Sequence, residues 1–267
     1  MGEKLTRVFP SGTYSFFPIK DNAGAHNAFY RGDDITEYFN SGAMSTVIAN
    51  GTFKDIFPGD YIIKNVTIDG NTYNNVKWVI MDCDYFFNSG DIPTTTHHVI
   101  LMPEGYLGKA QMNETNTTEG GYLNSKIWTD TIPLINIGIK SAFGNSHILS
   151  HRELLTSRIN NTAISGGIPT RQGCSDNYDW VSVESNICNE NQIYGIRSAS
   201  SSMFDTADCY RQFIAFKFIN SVYSSKYTFW LRSIATNTWF CCCGSYNDAG
   251  YSNASSSIYV RPYFLLI

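Results

Sequence analysis

The chain of 267 residues predicts an α+β fold, and three observations carry that expectation. Short β-branched apolar runs at 61–67, 76–81 and 98–102 are bounded by Gly, Asp, Asn and Pro, the pattern of strands. Two segments, 122–128 and 134–143, repeat apolar residues at spacings of three and four, the period of a helix packed on one side. Strand character then returns at 213–219, 227–233 and 259–266. Strands, helices, long loops and strands again, with no internal repeat, is an α+β order in which the first and last strands are expected to share a sheet.

Taken in order, residues 1–45 differ in character from the rest of the chain. Pro10, Gly12, Pro18, Gly24 and Gly32 interrupt short apolar runs, which reads as an arm or attachment element. Arg31-Gly32-Asp33 spells an integrin tripeptide, a triplet that chance also supplies. From Gly51 the chain becomes regular, and Asp69-Gly70 with Asn71 and Asn74-Asn75 is hairpin-turn chemistry between the first two strands. Residues 122–128, after Gly120-Gly121, join 134–143 as helical. Ser150 with Glu153 three residues later predicts a capping box before Leu154-Leu155. Residues 156–182, rich in Asn, Ser and Gly, predict long irregular connections.

Composition bounds the function. Charged residues are only 16% of the chain and aromatics 15%, with 17 Tyr and 17 Phe. Tyrosine beyond the needs of packing is a favoured contact residue, because it offers large amphipathic area at little entropic cost. A net charge of −4 and the lack of a Lys/Arg run argue against nucleic acid as partner. No stretch reaches the length of a membrane span, and residues 1–17 lack the apolar core of a secretion signal, so a soluble chain is expected.

Seven cysteines, Cys83, Cys174, Cys188, Cys209 and Cys241-Cys242-Cys243, form no C-x-x-C pair. Reduced thiols are expected, with Cys83 and Cys209 as small buried hydrophobes. His147-x-x-x-His151-x-Glu153 has the spacing of a helical metal site. Asn145, Ser146 and Ser150 instead start the helix near His151, which leaves His147 outside it and favours a capped structural turn. His97 and His98 are adjacent in a predicted strand, so their rings face opposite sides and cannot chelate together. No nucleophile elbow and no phosphate-cradling glycine loop is present. No cofactor is expected, and the protein is read as a binding module rather than an enzyme.

The anomaly is 233–259. These 27 residues hold six Ser, three Asn, three Tyr and three Cys, and no Lys, Glu, Gln or Met, although those four types total 28 of the other 240 residues. Codons obtained by randomising the adenines of AAC end in C. They cannot encode Lys, Glu, Gln, Met or Trp, and they readily encode Asn, Ser, Tyr, Cys, Asp and Gly. The cysteine triplet is then a drawn sample rather than a chemical motif. Trp239 lies outside that scheme and is either a fixed position or a different codon.

The flanks carry a resemblance. Phe229-Trp230-Leu231-Arg232-Ser233 and Val260-Arg261-Pro262-Tyr263-Phe264 resemble the W-L-R-S and V-R-P-x-F frame of a phage and bacterial family with a C-type-lectin-like fold of the formylglycine-generating-enzyme type. In many members that segment is the variable region of a diversity-generating retroelement. Gly51-Thr52-Phe53, Gly59-Asp60-Tyr61, His97-His98-Val99, Ala110-Gln111-Met112-Asn113 and His151-Arg152-Glu153-Leu154 are similar to the tail-associated phage members. The likeness spans roughly 45–267.

The resemblance implies a rigid lectin-like domain over 46–267, a variable region at about 230–262, and an arm over 1–45. It further implies a receptor-binding protein of a phage tail, or a surface-exposed bacterial protein. A protein or glycan receptor on a host cell and other virion proteins at the arm would be its partners, and a homotrimer is one assembly the arm suits. Trp230, Leu231, Arg232, Val260, Arg261 and Pro262 would be structural, supported by Ala235, Phe240, Ala249, Ala254 and Ser255. The contact residues would be Ser233, Asn237, Trp239, Cys241, Cys243, Ser245, Tyr246, Asn247, Asp248, Tyr251, Asn253, Ser256 and Tyr259, with Phe240 and Cys242 pointing inward.

Two departures limit what the likeness implies. The Glu-Pro-Asn, Gln-Pro-Asp and Trp-Asn-Asp triplets of calcium-dependent lectins are absent. The copper cysteine pair of the formylglycine-generating enzymes has no clear counterpart, because adjacent cysteines alternate faces. The alternatives are a metal-dependent enzyme on the same scaffold, using Cys241 to Cys243 with copper or His147, His151 and Glu153 with iron, and an undiversified structural virion protein.

Overall fold

Asp69 and Gly70 both take positive φ, 48° and 75°, the backbone of the two-residue turn that matches the twist of paired strands. In the computed structural model they close the first hairpin of the body. The structure describes residues 5–8, 14–17, 21–157, 159, 164–165, 168–169, 178–200, 211–218 and 227–267.

In chain order the elements begin with β1 (Leu5–Val8), β2 (Tyr14–Phe17), α1 (Ala23–His26), α2 (Thr36–Asn40) and α3 (Ala43–Ala49). β3 (Tyr61–Ile68), β4 (Asn71–Cys83), β5 (Val99–Pro103) and β6 (Lys109–Ala110) come next. A π-helical turn (Ile127–Thr131) runs into α4 (Ile132–Phe143), and a 3-10 turn (Asn145–His147) precedes β7 (His151–Thr156). Then come β8 (Ile164–Ser165), β9 (Ile168–Pro169), β10 (Tyr178–Val183), β11 (Ser185–Ile187), α5 (Glu190–Tyr194) and α6 (Ile214–Phe218). The carboxy-terminal strands are β12 (Phe229–Ile234), β13 (Trp239–Cys243), β14 (Ala249–Asn253), β15 (Ile258–Tyr259) and β16 (Pro262–Leu266). The class is α+β, as the element order predicts.

Two five-stranded sheets organise the body, with orders β11-β16-β5-β4-β3 and β14-β13-β12-β15-β6. The last strand, β16, lies between β11 and β5, so the first and last strands of the body do share a sheet. The central strands β5, β12 and β16 are buried on both faces. Trp78, Ile80, Leu101 and Phe264 of the first sheet meet Trp230, Phe240 and Cys242 of the second in one core beneath α4. Val79, Met81, Ile100, Leu265, Phe229, Leu231, Cys241 and Cys243 form a second core with Ile193, Phe213 and Phe216. Each large apolar side chain contributes about 1.5–3 kcal/mol on full burial, and β12 lies between the two cores, so it is buried along its whole length, Arg232 and Ser233 included, rather than in alternation.

The helix expected at 134–143 forms because Ile132, Ile135, Ile139 and Phe143 lie on one stripe and are buried. Gly138 on that stripe lets α4 approach β3, since a Cβ there would stand 2.6 Å from the Thr67 carbonyl.

Four local expectations are corrected. Residues 151–156 are a strand, not a helix: His151, Glu153 and Leu155 are buried in alternation with Arg152 and Leu154, and the strand pairs with β10. Tyr178–Val183 is therefore regular where irregular chain was expected, while 160–163, 166–167 and 170–177 lie outside the described residues. Residues 214–218 are helical rather than extended, with Phe213, Ala215 and Phe216 buried; a short apolar run does not tell helix from strand. Residues 122–125 are turns and a bend, and helix begins only at 126–127.

The amino-terminal segment is continuous with the body from residue 21. His26, Ile35 and Met44 are buried, and Asn27 donates to Asp82 Oδ1 (3.1 Å) and the Cys83 carbonyl (2.9 Å). β1 and β2 pair with each other, and the rest of 1–20 lies outside the described residues. The Arg31-Gly32-Asp33 triplet is spent internally. Arg31 binds Asp60 at 3.0 and 2.8 Å and Asp33 at 3.2 Å.

His97 and His98 precede β5 rather than lying in it. His97 Nδ1 meets Asp84 Oδ2 at 2.7 Å and its ring stacks on Phe87. His98 is fully buried between the Phe86 N–H (3.0 Å, to Nε2) and the Thr96 carbonyl (2.9 Å, at Nδ1). An N–H only donates and a carbonyl only accepts, so the ring is held neutral with its proton on Nδ1. Burial is the first cause that lowers its pKa, from 6.5 to about 4. Between those values the unfolded chain binds a proton that the folded state refuses. The resulting stability is complete above pH 6.5 and lost as pH falls toward 4. Relative to His98→Gln, the wild type is expected to lose about 3 kcal/mol of unfolding free energy over that window. A pH-independent difference in denaturant titrations would refute this.

Candidate ligand-binding site

β12, β13 and β14 form an antiparallel meander in which Trp239 faces Asn253, Cys241 faces Tyr251 and Cys243 faces Ala249. Strand alternation sends Trp239, Cys241 and Cys243 to one face and Phe240 and Cys242 to the other. Phe240 and Cys242 do enter the core beneath α4. The first face is not open along its length, however. α5 and residues 213–216 cover its middle, so Cys241 and Cys243 are fully buried and Ser233 is 1% exposed.

Ser233, Cys241 and Cys243 are thus corrected from contact residues to interior ones. Ser233 Oγ accepts the Glu190 N–H at 3.1 Å, and Cys243 Sγ lies 3.3 Å from Asn247 Oδ1. The cover is pinned by its own polar contacts. Glu190 accepts the N–H groups of Ser198, Ala199 and Ser200, and Arg211 grips buried Asp82 at 2.5 and 2.7 Å. Sequence alone does not reveal such a cover, because nothing local in 188–218 marks what it packs against.

The remaining expected contacts fall into separate groups. At the open end of the β13–β14 hairpin, Trp239 and Tyr251 stack in parallel with centroids 4.6 Å apart and an 8° interplanar angle. Trp239 Nε1 donates to Asn253 Oδ1 at 2.6 Å, and Asn237 is exposed beside them in sequence. At the closed end, Ser245, Tyr246, Asn247 and Asp248 make the turn. Tyr246 is 90% exposed, Asn247 takes φ 64°, and Asp248 crowds Gly244 so closely that a Cβ would lie 2.1 Å from its Oδ1. The two ends are about 13 Å apart along the strand.

Ser256 is half-buried and bonded to Ser252 (3.1 Å). Tyr259 lies on β15, beyond β12, packed on Tyr106 at 4.6 Å and Tyr227 at 5.0 Å with Lys109 over its ring. It does not join the Trp239 group. Of the expected supports, Ala235, Phe240 and Ala254 are buried, whereas Ala249 and Ser255 are half-buried.

Residues outside the strip complete the surface. Loop 111–118 holds the open end through Gln111 to the Ser255 carbonyl (2.6 Å), Thr118 to Thr236 (2.8 Å), and Asn116 to Asn253 (3.1 Å). Tyr194 of the cover donates to the Asp248 carbonyl at 3.0 Å, tying α5 to the turn. These partners lie far away in sequence, and no pattern in the strip announces them.

Burial pushes the Cys242 thiol up to about 12 and the Cys243 thiol to about 11. Both stay protonated and poorly nucleophilic near neutrality. Iodoacetamide on the native protein is expected to spare Cys83, Cys188, Cys241, Cys242 and Cys243 and to modify them after denaturation, read by peptide mass mapping. Native labelling of Cys241 or Cys243 would show that the cover opens. Cys174 and Cys209 lie outside the described residues.

The other constellation is not brought together. His147 Nδ1 meets the Ile267 carbonyl at 3.1 Å, whereas His151 Nε2 meets Glu153 in the interior at 3.0 Å. Among the described residues no three His, Cys, Asp or Glu side chains converge as a metal site. Among the same residues no helix is long and apolar enough to cross a membrane.

Comparisons with family models, with curated proteins and with solved structures yield no match to this chain.

Proposed function

We propose that this chain is a ligand-binding protein whose carboxy-terminal strip is a variable recognition surface. The body would be C-type-lectin-like, of the formylglycine-generating type, and diversified by a retroelement. Its place would be a phage tail, where it binds a receptor on the host cell. The observation that carries the reading is the division between frame and display. Trp230, Leu231, Arg232, Val260, Arg261 and Pro262 are all buried, while Asn237, Tyr246, Asp248, Tyr251 and Asn253 between them are exposed. A frame that holds the backbone while its interval meets solvent is what a surface tolerant of substitution needs.

The test is the coding DNA. Exposed positions of the strip should use AAC- or AAT-derived codons, beside a template repeat and a reverse transcriptase gene. Asn, Tyr, Asp and Cys codons end in a pyrimidine in any gene, so the deciding observations are the repeat and the serines: no template repeat and no reverse transcriptase gene, with purine-ending codons at Ser245 and Ser256, would overturn diversification. For binding, Tyr246→Ala combined with Tyr251→Ala is expected to weaken attachment to intact host cells about thirtyfold or more, the scale of an aromatic hot spot. Attachment that persists unchanged would favour a structural virion component.

A further inference from the structure

An amide beside the aromatic stack has its orientation dictated by its neighbours. The Ala254 N–H donates to Asn116 Oδ1 at 3.0 Å, which turns Asn116 Nδ2 toward Asn253 at 3.1 Å. Trp239 Nε1, a donor only, meets the same Asn253 atom at 2.6 Å, so that atom is the oxygen. The two Asn253 N–H groups are then left for an outside acceptor, since no described residue takes them. Tyr251, on the edge strand β14, is 53% exposed although one face of its ring lies on Trp239. Among the described residues Trp239 is the ring stacked on it, and the stack braces it.

The same loop that carries Asn116 borders a cleft of about 480 Å³ lined in part by Asn113, Glu114, Thr117, Glu119 and Asp130. Its lining cation, Lys126, is already paired with Glu114 at 2.6 Å. Carboxylates here accept hydrogen bonds and repel anions.

From these features we infer that the open end of the hairpin binds a neutral saccharide, a proposal that rests on the binding function above and narrows the receptor to a glycan. A pyranose has one face of C–H groups and a belt of hydroxyls that both donate and accept. The C–H face lies on the exposed ring of Tyr251, and one hydroxyl accepts from Asn253. Phosphate, sulfate and sialic acid are disfavoured, because Glu114 and Glu119 flank Asn116 in the chain and the lysine beside them, Lys126, is engaged by Glu114.

The experiment is saturation-transfer NMR of the purified chain with glucose, galactose, mannose, N-acetylglucosamine and maltohexaose, and with N-acetylneuraminic acid as the anionic comparison. At least one neutral sugar should show saturation of its ring protons, weakened about tenfold in affinity by Tyr251→Ala and kept by Tyr251→Trp. N-Acetylneuraminic acid should show none. An unchanged unfolding temperature ensures that each variant is folded. Saturation by no neutral sugar, or saturation indifferent to Tyr251→Ala, overturns the proposal. Host-cell attachment that depends on Tyr251 yet survives periodate oxidation of the cells would overturn the glycan and leave the binding function standing with a protein receptor. Attachment indifferent to both would remove the binding function as well.

Discussion

Glu153→Ala is expected to destabilise the protein by about 3–5 kcal/mol, the scale of breaking a buried ion pair by removing one partner. Glu153 is fully buried on β7, and its carboxylate meets Arg232 Nη2 at 3.2 Å, His151 Nε2 at 3.0 Å and the Tyr263 hydroxyl at 2.8 Å. The ring closes through Gln192, which accepts from Arg232 at 2.9 Å and donates to Tyr263 at 3.2 Å. Gln192 is also half of the Asn189 capping box that starts α5. One network therefore joins β7, β12, β16 and the cover. Alanine would leave the Arg232 guanidinium in the interior without its counter-charge.

Burial alone would raise the Glu153 pKa, but Arg232, His151 and Tyr263 outweigh it and hold the value below 4.5. The contribution is therefore complete above pH 4.5 and lost as pH falls through the depressed folded value. Glu153→Gln, which keeps the shape and removes the charge, is expected to destabilise strongly at pH 7 and much less in acid. Equal denaturant midpoints for wild type and Glu153→Ala at pH 7 would refute the network. A Glu153→Leu, Arg232→Met double variant should recover much of the loss, because it leaves no orphaned charge.

Trp230→Ala is expected to cost about 3–5 kcal/mol. The side chain is fully buried in the core beneath α4, and its Nε1 donates to the Ala110 carbonyl at 2.8 Å, linking β12 to β6. Truncation opens a cavity at the point where the two sheets share one core and deprives that carbonyl of its indole donor. Trp230→Phe restores most of the volume but not the hydrogen bond, and an intermediate loss of about 1–3 kcal/mol is expected. Thermal and denaturant unfolding of the two variants would decide the matter. A phenylalanine variant as unstable as the alanine one would mean the hydrogen bond dominates, and wild-type stability in both would remove Trp230 from the frame.

Legibility in the sequence depends on whether the information is local. α4 can be read because one stripe of Ile and Phe is buried against solvent-facing neighbours, and the β3–β4 hairpin because Asp69-Gly70 has few other uses. β7 misleads because Ser150 and Glu153 have the spacing of a helix cap, while Glu153 is spent on Arg232, a residue 79 positions later. α6 misleads because Phe and Ile pack equally well on a helix or a strand. In the strip, alternation assigns Phe240 and Cys242 to the inner face. It cannot show that the opposite face of Cys241 and Cys243 is also occupied.

Residue order is therefore sufficient for the α+β class, the positions of β3, β4, β5, β12, β16 and α4, the pairing of early and late strands in one sheet, and the unusual strip between two apolar flanks. These depend on turn chemistry, period and composition, all read within a few residues. The assembled chain is needed to know which strip positions meet solvent, that Ser233, Cys241 and Cys243 lie under α5 and residues 213–216, and that Asn116 orients Asn253 beside the Trp239–Tyr251 stack. Those outcomes depend on partners tens to more than a hundred residues away. A strand dictates which side chains share a face; what covers that face is settled by the rest of the chain.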